Sequence, residues 1–159
     1  MKRKKLDLLT FGEVLLRLSP VGYERLVRGD LFEKKIGGAE LNVACGVSLL
    51  GLSTGIVSKL PDHQIGLFAK NKIDACAVSD EYIVYDKDPD ARLGICYYES
   101  GAYPRKPEVI YDRNHSSITK ISTDELNPSM YGDCRCFHTT GITLALGKEV
   151  KKLRIQQLI

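Results

Sequence analysis

An α/β fold is predicted by three features of this 159-residue chain. Leu6 to Phe11 is a short, almost continuous apolar run stopped by Gly12, the pattern of a strand buried on both faces of a parallel sheet. Strand-length and helix-length apolar segments then alternate as far as Ile73, the signature of β-α-β units. From Ala91 the alternation gives way to runs rich in β-branched and aromatic residues, which read as an antiparallel excursion from the main sheet.

In chain order, a polar segment follows Ser19-Pro20 and Gly22, and Leu31 to Ile36 forms a strand that delivers the chain to Gly37-Gly38. Ala39 to Leu50 is a helix, apolar nearly all round (Leu41, Val43, Ala44, Val47, Leu49, Leu50), so burial on every side is expected. Gly51 caps its end. Ser53 to Leu60 is a strand, Pro61-Asp62 a turn and Ile65 to Ile73 a helix. Leu93 to Glu99 and Pro107 to Arg113 are an antiparallel pair forming a small β lid, separated by Ser100-Gly101-Ala102 and Tyr103-Pro104. Ser122-Thr123-Asp124-Glu125 starts a short helix that Pro128 limits near Asn127. Cys134 to Thr139 returns as a strand leading into Thr140-Gly141-Ile142-Thr143, and Lys148 to Ile159 can start a further helix.

Composition narrows the function classes. With 43% hydrophobic and 27% charged residues the chain can bury one core, so a single domain over residues 1–159 is expected. The net charge is +3, much of it from Lys2, Arg3, Lys4 and Lys5, a solvated cluster with no aromatic-basic groove beside it; no nucleic-acid partner is expected. No apolar stretch approaches the roughly 18 residues of a membrane span, and the run after the basic cluster is broken by Asp7, unlike a signal peptide. A cytoplasmic protein with no membrane partner follows. Five cysteines are scattered without secretory context, so reduced thiols are expected. The one-residue spacing of Cys134 and Cys136, with no second pair, is not a zinc pattern, and no metal site is nominated.

Chemistry concentrates in two places. Gly37-Gly38 opens a helix: paired glycines let backbone approach a ligand, and the first-turn N–H groups offer donors with partial positive charge, suited to a hydroxylated or anionic small molecule. Strand alternation puts Val109, Tyr111 and Arg113 on one face, where a planar guanidinium fork and a phenol can grip one carboxylate. His63 is expected in an exposed turn, His115 in a loop and His138 as a satisfied strand histidine. Turn formation and strand solvation account for Asp62 and Asp112.

The segments Phe11-Gly12-Glu13-Val14-Leu15-Leu16-Arg17-Leu18-Ser19-Pro20, Gly38-Ala39-Glu40-Leu41-Asn42, Arg92-Leu93-Gly94-Ile95, Val109-Ile110-Tyr111-Asp112-Arg113 and Thr140-Gly141-Ile142-Thr143 together resemble the ribokinase-like (PfkB-type) carbohydrate kinases, and most closely the 2-keto-3-deoxygluconate kinases. The resemblance covers Leu6 to about Gly147. It implies the amino-terminal part of a ribokinase-like three-layer fold, with lid strands near 13–36 and 91–113, and ATP-dependent phosphorylation of 2-keto-3-deoxygluconate or a related sugar, with magnesium neutralising the phosphates. It further implies substrate contacts from Gly38, Ala39, Glu40, Asn42, Tyr111, Arg113 and Ile142. The position matching a sugar-contacting tyrosine falls on Cys96; Tyr98, on the same strand face, is the expected stand-in.

The family's later half carries a Gly-Ala-Gly-Asp motif, whose aspartate is the catalytic base, and the nucleotide site. This sequence has neither Gly-x-Gly-Asp nor a Gly-x-x-x-x-Gly-Lys-Ser/Thr loop. No catalytic residue is nominated, the main ATP and Mg2+ site is expected to be absent, and inactivity of this truncated chain alone is the expectation. The rival expectation is a non-catalytic module that binds a sugar acid or self-associates, pairing as a homodimer through the β lid. A dinucleotide-binding dehydrogenase is disfavoured, because Gly37-Gly38 lacks the Gly-x-Gly-x-x-Gly spacing.

Overall fold

Leu6–Phe11 forms β1, and five of its six residues are buried, as a central parallel strand requires. The computed structural model describes residues 5–147 and residue 150; Lys2, Arg3 and Lys4 and, Val150 apart, the expected tail helix from Lys148 lie outside them. After β1 come β2 (Leu15–Pro20), β3 (Phe32–Gly37), α1 (Ala39–Leu49), β4 (Thr54–Pro61), α2 (Gln64–Ala75), β5 (Val78–Ser79) and β6 (Ile83–Asp86). The remainder is β7 (Gly94–Glu99), β8 (Glu108–Asp112), two 3-10 turns at Ser117–Lys120 and Thr123–Glu125, α3 (Met130–Asp133), β9 (Cys134–Thr139) and α4 (Gly141–Leu144).

The main sheet is wholly parallel, in the order β5-β4-β1-β9, with β6 also pairing with β4. Its two faces carry separate apolar cores. Ile56 and Leu60 of β4 pack with Leu41 and Ala44 of α1 and Ala69 and Ile73 of α2. Val57, next to Ile56 and therefore on the opposite face, packs with Leu9, Phe11, Ile118, Ile121 and Met130. The sheet is thus covered on both sides, which is why β1 and β4 are buried almost throughout and largely apolar, although Thr10, Ser58 and Lys59 are buried with them.

The second sheet is four-stranded, in the order β3-β2-β7-β8, with a parallel β2-β7 pair flanked by antiparallel neighbours. The segment between β2 and β3 is tied to it by Glu99 at the end of β7, a buried carboxylate that accepts from the Leu26 N–H at 2.8 Å and pairs with Arg105 at 2.8 Å.

Several expectations need correction. The helix α1 is not buried all round: it lies against β1 and β4 on one side, burying Glu40, Leu41 and Ala44, and leaves Leu49 85% exposed. An apolar composition does not create a second packing surface. Gly51, at φ 86°, does end it. The helix expected from Ser122 is only a 3-10 turn, held by a capping box between Ser122 and Glu125. His138 is not satisfied: its Nε2 is buried without a hydrogen-bond partner. Asp112 is more than a solvated strand residue, since Arg92 grips both of its oxygens, at 3.1 and 2.7 Å.

Candidate functional site

The cleft between the two sheets begins at the turn from β1 into β2, where Glu13 is carried inward. Glu13 is 2% exposed, and both of its oxygens are engaged. Oε1 accepts from the Ser116 hydroxyl at 3.0 Å. Oε2 accepts from Arg113 Nε at 2.7 Å and lies 2.6 Å from a terminal nitrogen, Nη2, of the same guanidinium. Burial pushes the Glu13 carboxyl above its ordinary range, and Arg113 and Ser116 pull against that shift. The consequence for Arg113 is positional: one edge of its guanidinium, Nε and Nη2, is spent on Glu13, and the group is held 5.2 Å from the centroid of the Tyr111 ring.

The start of α1 faces the same space. Gly38 adopts φ 150° and ψ 136°, and no side chain caps the helix. A Cβ at Gly38 would lie 2.3 Å from the Glu13 carbonyl oxygen. Only glycine allows the helix start to sit against the Glu13 turn. Two residues on, Glu40 is 1% exposed. Its Oε1 accepts from the Thr140 N–H at 3.0 Å, the Thr140 hydroxyl at 2.7 Å and the Thr143 hydroxyl at 2.8 Å. The Thr143 hydroxyl in turn accepts from the Glu13 N–H at 3.3 Å. This chain of bonds fixes α4 against α1 and brings Ile142 to the rim.

Together these elements enclose a cleft of about 260 Å³ lined by Glu13, Leu15, Arg17, Gly37, Gly38, Ala39, Glu40, Asn42, Cys96, Tyr111, Arg113 and Ile142. It lies just below the roughly 300–1,000 Å³ usual for drug-sized ligands, a size suited to a small metabolite. Of the residues nominated from sequence, Gly38, Ala39, Glu40, Asn42, Tyr111, Arg113 and Ile142 all line it, and Tyr98 does not. Tyr98 does share the strand face of Cys96, but it stands one strand repeat further out, and the Arg17 guanidinium covers its ring at 4.0 Å.

Sequence pattern alone does not single out Glu13 or Arg17, although both stand in the Phe11-to-Pro20 segment. An acid directly after Phe11-Gly12, at the end of a buried strand, was the available signal for Glu13. For Arg17 it was the alternation Leu15, Arg17, Ser19 along β2. Of the histidines, His63 is exposed, and its Nδ1 caps α2 by accepting from the Ile65 N–H at 3.2 Å. His115 is a loop residue at φ 56°, beside a second opening behind Arg113. Among the described residues no group of three or more His, Cys, Asp or Glu could hold a metal ion, and no helix is long and apolar enough to cross a membrane. Cys45, Cys76, Cys96 and Cys136 are free thiols.

The pfkB family carbohydrate kinase model matches residues 5–157 of this sequence. The chain belongs to the pfkB family of carbohydrate kinases. Within this family it is 39% identical over 146 residues to the 2-dehydro-3-deoxygalactonokinase of Haloferax volcanii and 33% identical over 150 residues to the 2-dehydro-3-deoxygluconokinase of Bacillus subtilis. Both matches cover 92% of this chain and 45% of the relative, so the pfkB chain described here spans just under half the length of these curated relatives. The crystal structure of 2-dehydro-3-deoxygluconokinase from Thermotoga maritima superposes with a TM-score of 0.90 at 36% identity, covering 96% of this chain and 46% of that one. The mixed α/β architecture with a parallel sheet is therefore that of the amino-terminal half of a pfkB kinase.

Proposed function

We propose that the cleft holds 2-keto-3-deoxygluconate or a closely related sugar acid, and that this chain is the sugar-binding part of an ATP-dependent sugar-acid kinase. The observation that carries the reading is the convergence of Tyr111 and Arg113, from the second sheet, with the uncapped glycine start of α1, from the main sheet, on one small cleft. Arg113 spends Nε and Nη2 on Glu13, which leaves the remaining corner of its fork for a ligand carboxylate. The Tyr111 phenol adds a neutral hydrogen bond, while the first-turn N–H groups of α1 and the Asn42 amide suit the hydroxyl-bearing end. The names of the similar kinases support the same substrate class.

ATP would be the phosphoryl donor, and bound magnesium would neutralise its phosphates. No cluster among the described residues suits that metal. What these residues do is bind and orient the sugar acid, and residues 1–159 alone bind it without phosphorylating it. In a second role, the exposed β8 side chains Val109 and Ile110 suit self-association through this sheet.

Calorimetric titration with 2-keto-3-deoxygluconate, followed by incubation with ATP and magnesium, tests both parts. Saturable binding without sugar-phosphate formation is expected. Absence of binding would remove the substrate assignment, and sustained turnover would remove the claim of inactivity.

A further inference from the structure

Arg113 is not the sole cation in the cleft. Arg17 of β2 lines it too, and the two arginines differ in how they are compensated. Arg113 is paired with the buried Glu13. No carboxylate among the described residues pairs with Arg17; its Nε donates to the Ser19 hydroxyl at 3.3 Å, and its guanidinium lies over the Tyr98 ring, 4.0 Å from the centroid. The strand register sets Lys35, Arg17, Cys96 and Tyr111 side by side across the second sheet. Lys35 is already paired with Glu33 at 2.9 Å. Cys96 carries a short side chain and is 9% exposed, so it leaves space between Arg17 and Tyr111.

A half-buried arginine whose terminal nitrogens bond to none of the described residues, pre-oriented by an aromatic platform and opening into a cleft, is arranged to receive an anion. Stacking also lowers the entropy lost when it does so.

We infer that Arg17 is a second holder of the ligand's carboxylate and sets the preference of this cleft for sugar acids over neutral sugars, an inference that rests on the sugar-acid reading above. The acid group lies over Cys96, bracketed by Arg17 on one side and by Tyr111 and Arg113 on the other. Arg113, tied to Glu13, fixes position; Arg17 supplies a charge with which no carboxylate among the described residues is directly paired.

The test is a pair of titrations of the full chain, with 2-keto-3-deoxygluconate and with the 3-deoxy-ketose that carries CH2OH in place of the carboxylate. Wild type should bind the acid about ten-fold or more tighter than the ketose, the scale of one charge-assisted hydrogen bond. Arg17→Gln should cost about ten-fold for the acid and under about two-fold for the ketose, while Arg17→Lys keeps most of the preference. Tyr98→Leu removes the platform but not the charge, and should weaken the acid about three-fold with the ketose unchanged, a second variant should Arg17→Gln fold poorly. Equal losses for both ligands in Arg17→Gln, or no loss for the acid, would overturn the role of Arg17 and leave the sugar-acid reading standing. A wild-type chain that binds neither compound would overturn both.

Discussion

β4, at the heart of the parallel sheet, is buried along its whole length, whereas β8, at the edge of the second sheet, leaves Val109, Ile110 and Tyr111 between 43% and 58% exposed. The main sheet is packed on both faces and makes few polar commitments inside. The second sheet is open, and its polar side chains turn toward the cleft or bind one another. This division separates what specifies the fold from what lines the cleft. It also explains why Arg113 and Glu40, which line the cleft, are steadied by buried partners: side chains presented to a ligand from an open sheet or a helix end need support from elsewhere.

The comparison predicts graded effects. The largest contrast is between Ile56→Ala in β4, which empties space in a packed core and should cost about 2–5 kcal/mol, and Ile110→Ala in β8, which should change stability by no more than about 0.5 kcal/mol. Urea unfolding of the two variants checks this; comparable losses would mean that the second sheet is as much a part of the core as the first. A step smaller is Gly38→Ala, at the junction of the two sheets. Its φ of 150° and the Glu13 carbonyl 2.3 Å from the added Cβ should cost about 1–3 kcal/mol and shift the helix start. Sugar-acid affinity should fall further than thermal stability suggests, as calorimetry and a melting curve on the same sample would show.

The smallest effect is in pH dependence, where two carboxylates of the two regions pull in opposite directions. Glu125, below the main sheet, is held under its ordinary range: burial opposes this, but Lys59, 2.7 Å away, and the Ser122 N–H prevail. Its unfolded form takes up protons first, so the stability it contributes is present above about pH 4.5 and is lost as pH falls through its lower folded value. Glu13 is raised, so the folded state holds its proton longer, and its contribution declines as pH rises from about 4.5 through its folded value. In denaturant titrations from pH 3 to 7, Glu125→Gln should flatten the acid limb and Glu13→Gln the upper one. Exchange of these two outcomes would reverse the assignment of which carboxylate is charge-stabilised.

Much of the parallel core was legible because burial leaves a largely apolar run, as in β1 and β4; β9, fully buried only at Cys134, does not carry that signal. β1, β4 and β9 follow from sequence within a residue. β5 and β6 are not legible in sequence: β5 has two residues, and the four-residue β6, Ile83–Asp86, is too short to rank above a loop without its partner β4. The helix α1 misled for the opposite reason, since apolar residues on its outer side look the same in sequence whether or not anything covers them.

At the cleft, the residues that meet in space were legible where local geometry determined them, as with Gly38 before a helix and Tyr111 with Arg113 on alternate positions. The partners that steady them were not. Glu13 lies 100 residues from Arg113, and Glu40 lies 100 from Thr140. Nothing in local pattern joins such pairs. Tyr98 shows the limit of alternation: it fixes a face, while distance along the strand and the Arg17 guanidinium decide what that face meets.

Binding of the sugar acid in the cleft between the sheets is the proposal on which the other assignments depend. Amide NMR titration of the isotope-labelled chain with 2-keto-3-deoxygluconate tests it most directly. Saturable shifts are predicted at Gly37 to Asn42, Cys96, Tyr111 to Arg113 and Ile142, with β5 and β6 unmoved. Shifts confined to other surfaces, or none at saturating ligand, would contradict it.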